Sequence, residues 1–140
     1  MATSLNASLA GIWVADQNDK DIKLMATAGE ARAPEEVGKH PCLPLNIEIL
    51  LSKQPLLIND FGADIRAINQ EWIRREGIIA YAGYPLLLED RVVGVMSILS
   101  RGQMTDATLR EMASVANGIA LCIDRKRSAQ ALDASEFKYR

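Results

Sequence analysis

Histidine, cysteine and aromatic residues are scarce in this chain of 140 residues, which holds one histidine, two cysteines and 5% aromatics. Cys42 and Cys122 lie far apart and in no Cys-x-x-Cys pair, so no disulfide framework or redox dithiol is expected. His40 and Cys42 together offer two metal ligands, too few for a zinc site. Charge of one sign is also missing. A net charge of −2 leaves no broad basic surface for nucleic acid or acidic lipid. No apolar run approaches the length that spans a bilayer. The N-terminus lacks the basic-then-apolar pattern of an export signal. The expected location is therefore cytoplasmic. What is present is ordinary for a globular domain: 49% hydrophobic and 24% charged residues, in a length that suits one domain with a real core.

The most informative stretch is Gly77 to Arg101, GIIAYAGYPLLLEDRVVGVMSILSR. Tyr81, Tyr84, Leu86 and Leu88 precede a polar turn at Glu89-Asp90, and a valine- and isoleucine-rich run follows it. This predicts an antiparallel hairpin. In the second arm Val93, Val95 and Leu99 alternate with Val92, Met96 and Ile98, so neither face reads as facing water. Antiparallel strands commonly keep one wet face. This one is expected to be covered on both.

The rest of the chain reads in the same way. Residues 2–8 resemble the end of a helix. Leu9–Val14 and Asp21–Ala28 read as strands around a turn at Asp16–Asp19, with Ile22, Leu24 and Ala26 alternating against Lys23, Met25 and Thr27. Gly29–Pro44 reads as loop. Leu45–Lys53 predicts a short helix, which Gln54-Pro55 ends. Pro55–Asn59 predicts a strand, Asp60–Ala63 a loop, and Asp64–Glu76 a helix with Ile65, Ile68 and Trp72 inward, stopped by Gly77. Thr105, or Thr108 through a Thr-x-x-Glu box, is expected to cap the last helix. There Leu109, Met112, Ala116, Ile119 and Ile123 make a 3-4-3-4 apolar stripe. Its continuation meets Lys126, Gln130 and Asp133, so the packing face is expected to end near Ile123. Beyond it a charged helix leaves the domain, suited to pairing with a copy of itself. Cys122 is expected to be a small core residue. Antiparallel strands with helices between them indicate an α+β sheet domain.

Pro55-Leu-Leu-Ile-Asn-Asp60, Trp72-Ile-Arg-Arg-Glu-Gly77, Tyr81-Ala-Gly-Tyr-Pro-Leu86 and Arg91-Val-Val-Gly-Val-Met-Ser-Ile-Leu-Ser100 occur in that order, before a helix with the basic cluster Arg125-Lys-Arg127. Together they resemble a GAF domain of a bacterial signalling protein, over roughly Leu5 to Arg127. The resemblance implies a central antiparallel sheet of about six strands, with N- and C-terminal helices on one face and a ligand pocket on the other. The residues themselves give five strands; a sixth would fall in Glu36–Leu45. Residues 131–140 resemble the start of a PAS sensor domain. The implied organisation is a sensory domain over 1–127 and a helical linker over 128–140. The implied parent is a sensor histidine kinase or a cyclic-dinucleotide enzyme.

On the face that the family uses for ligand, the candidate site residues are Trp13, Ile58, Asp60, Trp72, Tyr81, Tyr84 and Ser97. Aromatics with a few polar groups suit a small organic ligand. Four of them also have a structural reading, which the residue types favour. Trp13 and Trp72 would be core, Asp60 a turn cap, and Ser97 a buried hydroxyl bonded to backbone. Arg74, Arg75 and Arg101 would be a solvated face rather than an anion site, and His40-Pro41-Cys42 a surface loop. The residues lack the spaced Asn-Lys, Phe, Asp-Glu set of cyclic-nucleotide-binding GAF domains. They also lack the Cys-His order of bilin-binding ones and a haem ligand other than His40. No catalytic residue, metal or named cofactor is indicated. The expected function is a non-catalytic sensory module that binds an unidentified small molecule, pairs as a homodimer through its terminal helices, and signals through its C-terminal helix. The alternatives are a ligand-free dimerising spacer, or a methionine sulfoxide reductase using a Cys42 thiolate.

Overall fold

The computed structural model describes residues 8–15, 22–29, 40–64 and 66–138, with side chains up to residue 126. The expected helix end at residues 2–8 and the turn at Asp16–Asp19 lie essentially outside the described residues. Strands β1 (Leu9–Ala15) and β2 (Ile22–Ala28) come first, then helix α1 (Leu43–Ser52) and strand β3 (Leu56–Ile58). A 3₁₀ turn (Phe61–Ala63), helix α2 (Gln70–Glu76), the hairpin β4 (Ala80–Leu88) and β5 (Arg91–Ser100), and helix α3 (Asp106–Lys138) follow. Among the described residues the sheet has five strands in the order β2-β1-β5-β4-β3, every neighbouring pair antiparallel. The sixth strand expected in Glu36–Leu45 is not found there: 43–45 belong to α1, 40–42 precede it outside any strand, and 36–39 lie outside the described residues.

β5 is central and buried from Val92 to Ser100, and both of its faces are covered. The front carries Val92, Val95 and Leu99 against α1 and α2 residues such as Leu45, Ile49, Trp72 and Ile73. The back carries Val93, Met96 and Ile98 against Met112, Ala116, Ala120 and Ile123 of α3. The expected alternation placed Val93 with Val95. The structure places it opposite, because Leu86 pairs with Gly94 and Leu87 with Val92, so Val93 is the extra residue of a β-bulge.

The helices follow local signals with two departures. α1 stops where Lys53 turns left-handed (φ 62°) and donates its N–H to the Ile49 carbonyl, ahead of Pro55. α2 is shorter than the expected 64–76. Asp64 accepts hydrogen bonds at one carboxylate oxygen from both the N–H and the Nε of Arg66. That local turn competes with helix, and Asn69 at φ 57° separates it from α2. Gly77 at φ 70° closes α2 as expected, donating to Arg74 and Ile73 carbonyls. Thr105 caps α3 by accepting from the Ala107 N–H at 3.3 Å. The entry to α3 is pinned by Asn59, whose side chain accepts from Met104 N–H at 2.7 Å and donates to its carbonyl at 2.8 Å.

The stripe on α3 is placed as its spacing implies: Met112, Ala116, Ala120 and Ile123 are buried, with Leu109, Val115 and Ile119 partly so. Cys122 corrects the expectation. It is exposed, because it projects from the side of α3 away from the sheet. The helix runs 33 residues, about 50 Å, well past Ile123, its last buried position among the described side chains. Among the described residues no helix is long and apolar enough to cross a membrane. Met112→Ala should cost about 2–5 kcal/mol in urea unfolding, whereas Asn117→Ala, on the exposed side, should stay within about 0.5 kcal/mol. Equal losses would show that α3 does not bury the face described.

Candidate functional site

The front of the sheet has a floor of small residues. Gly11 of β1 pairs with Ser97 of β5, and Ser97 pairs with Gly83 of β4. Isolated glycines inside strands mark a close approach, and here side chains lie over both. A Cβ on Gly11 would sit 3.2 Å from Trp13 Nε1, and one on Gly83 would sit 2.3 Å from the Tyr81 hydroxyl and from Ile49 Cδ1. Trp13 and Tyr81 are each two residues along their own strand from these glycines, so they share the face and lean inward.

Over this floor six side chains form one buried hydrogen-bonded cluster: Trp13, His40, Cys42, Asn46, Tyr81 and Ser97. Trp13 Nε1 donates to Ser97 Oγ at 3.1 Å. Ser97 Oγ lies 3.8 Å from Cys42 Sγ. The Tyr81 hydroxyl donates to Asn46 Oδ1, and Asn46 Nδ2 donates to Cys42 Sγ at 3.5 Å. Cys42 Sγ sits 2.9 Å from His40 Nδ1, which also accepts from the Cys42 N–H at 3.4 Å. With a backbone N–H pointing at it, Nδ1 is an acceptor. His40 is therefore the Nε2–H tautomer and the thiol is the donor. The His40 ring meets the Trp13 indole edge-on at 5.0 Å, and Phe61 stacks on Tyr81 at 5.5 Å.

Every member is neutral. Burial pushes the Cys42 thiol up to about 12 and the His40 imidazole down to about 4. Burial likewise raises the Tyr81 phenol well above its ordinary value. A proton moving from thiol to imidazole would run against both shifts, so the surroundings disfavour the thiolate that nucleophilic chemistry uses. The charges beside this core pair among themselves. Arg66 bridges Glu48 and Asp64, its Nη2 lying 2.8 Å from Asp64. The hydrogen bond from Arg66 holds the Asp64 carboxyl below its usual value.

The sequence-derived candidates divide. Trp13, Tyr81 and Ser97 meet in the cluster. Trp72 is buried in the front apolar core, and Ile58 packs at its margin on β3. Asp60 is exposed at the start of the 3₁₀ turn, where its side chain makes no capping bond. Tyr84 packs on the back face with the α3 cluster, because three residues along a strand reverse the face. Ser97 bonds to side chains rather than to backbone. His40 and Cys42 are not a surface loop; they are 3% and 0% exposed. Asn46 carried no sequence signal beyond its place in α1, whereas Gly11 and Gly83 were legible as in-strand glycines. Arg74 and Arg75 are exposed; Arg101 is tied to the Glu76 carbonyl at 2.7 Å. Among the described residues no group of three His, Cys, Asp or Glu is placed to hold a metal. A separate open groove of about 320 Å³ lies between the end of α1 and the β4–β5 turn, lined by Leu50, Leu51, Lys53, Asp90, Arg91 and Val92.

The description "GAF domain" belongs to the family model that matches residues 1–123. No curated protein matches the chain. Among solved structures it is similar to the GAF domain of a phosphoenolpyruvate-protein phosphotransferase from Coxiella burnetii, at 17% identity and TM-score 0.75 over 93% of this chain and 79% of that one. It is similar to a domain of a putative two-component sensor histidine kinase protein from Sinorhizobium meliloti, at 21% identity and TM-score 0.62 over 94% and 88%. It is also similar to a type II free methionine-R-sulfoxide reductase from Thermoplasma acidophilum, at 14% identity and TM-score 0.67 over 86% and 81%. At these identities the likeness is one of fold.

Two measurements test the site. Gly83→Ala should destabilise by about 1–3 kcal/mol, because a Cβ there would sit 2.3 Å from the buried Tyr81 and Ile49 side chains, which must shift; a wild-type urea midpoint would contradict the packing. Stability should also fall off on both sides of a neutral plateau. His40 ordinarily titrates at 6.5 but near 4 when folded, so the unfolded chain takes up the proton first. On the order of 3 kcal/mol is then lost as pH falls from about 6.5 to about 4. Cys42 ordinarily titrates at 9.0 but near 12 when folded, so stability is lost again as pH rises above about 9. His40→Gln should flatten the acid side alone.

Proposed function

The chain belongs to the GAF domain family, and on that footing we propose that it is a non-catalytic sensory module that reports a small molecule through α3. The observation that carries this reading is the two-part character of α3. Up to Ile123 its apolar stripe is seated on the back of the sheet. Beyond that point it continues as helix to Lys138. A rigid rod fixed at one end to a sensing sheet transmits rotation or displacement to whatever its other end joins. Residues 1–127 would be the sensory domain and 128–140 the helical linker. The linker would pair with a second copy of itself and lead into a following domain, whose start is what residues 131–140 resemble. A cytoplasmic signalling parent of the histidine kinase type fits that arrangement.

The site residues on this reading are Trp13, Tyr81 and Ser97, joined by Asn46. Trp72 and Ile58 support them from the apolar core, while Asp60 and Tyr84 stand outside the cluster. Recognition through neutral hydrogen bonds suits binding rather than turnover. A buried, protonated Cys42 gives no support to thiol chemistry.

Helical phase is the direct test. Inserting one residue after Arg127 in the parent rotates everything downstream by about 100°. Output should switch off or lock on, and insertion of a full heptad should restore regulation. Output indifferent to both insertions would reject transmission by a rigid helix.

A further inference from the structure

Residues 101–105 join β5 to α3 outside strand and helix. Side chains tie this connection to two segments of the front cover. Asn59, the first residue after β3, grips the Met104 backbone with a pair of bonds. Met104 N–H donates to Asn59 Oδ1 at 2.7 Å, and Asn59 Nδ2 donates to the Met104 carbonyl at 2.8 Å. Arg101 holds Glu76, the last residue of α2. Its Nε donates to the Glu76 carbonyl at 2.7 Å, and its Nη2 lies 3.5 Å from the carboxylate. Both anchors lead straight into the front core. Two residues past Asn59, Phe61 is buried there and stacks on Tyr81. Trp72 and Ile73, one turn before Glu76, are buried there too. Met104 is thus held from both sides. Its backbone is bound to Asn59, while its side chain, 4% exposed, sits in the back core with Met112 of α3. The next residue, Thr105, caps α3. A shift at the exit of β3 or the end of α2 therefore reaches the first turn of α3 without crossing the sheet.

We propose that the 101–105 connection is a latch through which the front cover sets the seat of α3, closed by Asn59 on Met104 and braced by Arg101 on Glu76. This rests on transmission through α3 and adds the point at which the signal enters that helix. The grip has two arrangements rather than a continuous range. Its bonds run in opposite directions between the same two residues, so a separation of about 1 Å takes both beyond hydrogen-bond distance. Asn59 is exposed, so water takes up its released amide and no buried polar side chain is orphaned by opening. Closed, the latch fixes Met104 beneath the first turn of α3. Open, it frees that turn from the front cover, while the stripe from Met112 to Ile123 keeps its place on the sheet. The two anchors give the front two ways to act on it. Movement of α2 pulls on Arg101, and movement of the segment after β3 pulls on Asn59.

A chain of contacts is not in itself coupling, so the test is a double-mutant cycle in the full chain. Ile73→Val makes a small change on the buried side of α2. It should shift the backbone amide resonances of Thr105, Ala107 and Thr108 at the start of α3. In an Asn59→Ala background the same change should shift them roughly three-fold less, or less still. Its effect on Ser97 and Ile98 in β5 should be undiminished. A side chain that merely stabilised the fold would leave the two changes additive. A smaller reduction at α3, an equal loss at β5, or no response to Ile73→Val in the otherwise wild-type chain would overturn the latch. If Asn59→Ala does not fold, Arg101→Gln takes its place in the same cycle. If neither folds, the two side chains are supports of the fold and the latch is rejected. Phase-sensitive output with an additive cycle removes this inference alone, and phase-indifferent output with a non-additive cycle removes helix transmission alone.

Discussion

β5 is wet on neither face, and the architecture is built around that constraint. From Val92 to Ser100 each residue is buried, and β1 and β4 pair with its two edges. A strand enclosed in this way needs two covers. The back is flat and aliphatic, so the stripe Met112, Ala116, Ala120 and Ile123 of a single long helix suffices. The front is larger and is closed by several short pieces, namely α1, α2 and the chain between them. One side of the sheet thus acquires a rigid cover and the other a composite one. The bulge at Val93 belongs to the same solution, because it gives the back a valine that strict alternation would send to the front.

Ser97 is the exception within this apolar strand, and the front face is arranged around it. A hydroxyl buried mid-strand needs partners. Small residues on both neighbouring strands, Gly11 and Gly83, leave room for them. Trp13 supplies one partner directly, and Cys42 leads on to His40 and Asn46. Every bond in the cluster joins neutral groups, and burial is what keeps them neutral. The same burial acts on the thiol. The thiolate that would react is the species the environment disfavours, even with an imidazole 2.9 Å away.

What was legible in the sequence follows the range of the interactions. The β4–β5 hairpin, the cap at Thr105 and the stripe of α3 are written in residues a few positions apart, and the structure has them as read apart from the bulge at Val93. The strands themselves were legible in the same way, but their order in the sheet was not, because pairings such as β1 with β5 join residues far apart in the chain. His40 and Cys42 were not legible, because the signals around them are those of a loop. What buries them comes from far along the chain: Ser97 is 55 residues from Cys42, and Trp13 is 84 residues from Ser97. The shortened α2 came from a local competition that helical periodicity does not register, an aspartate bonding the backbone two residues on. Cys122 was misread because a lone cysteine among alanines and isoleucines resembles core, whereas the 3-4 spacing already excluded it from the stripe. Tyr84 shows the same lesson in a strand. Its odd spacing from Tyr81 assigns it to the opposite face.

The two covers meet through β5 itself. Ser97, whose hydroxyl faces the polar cluster, lies between Met96 and Ile98, whose side chains pack with α3. No loop or linker separates the front site from the back helix; they are opposite faces of the same peptide units. Such proximity does not create coupling. Coupling needs an element with two arrangements and a ligand that prefers one of them, and the shift can be no larger than that preference. The front is a cover in several parts: the 40–42 segment leads into α1, its Cys42 carbonyl accepting from Asn46 N–H, and its Pro41 carbonyl accepts from Ile68 N–H ahead of α2. The back cover, by contrast, is one continuous helix seated on the same strand.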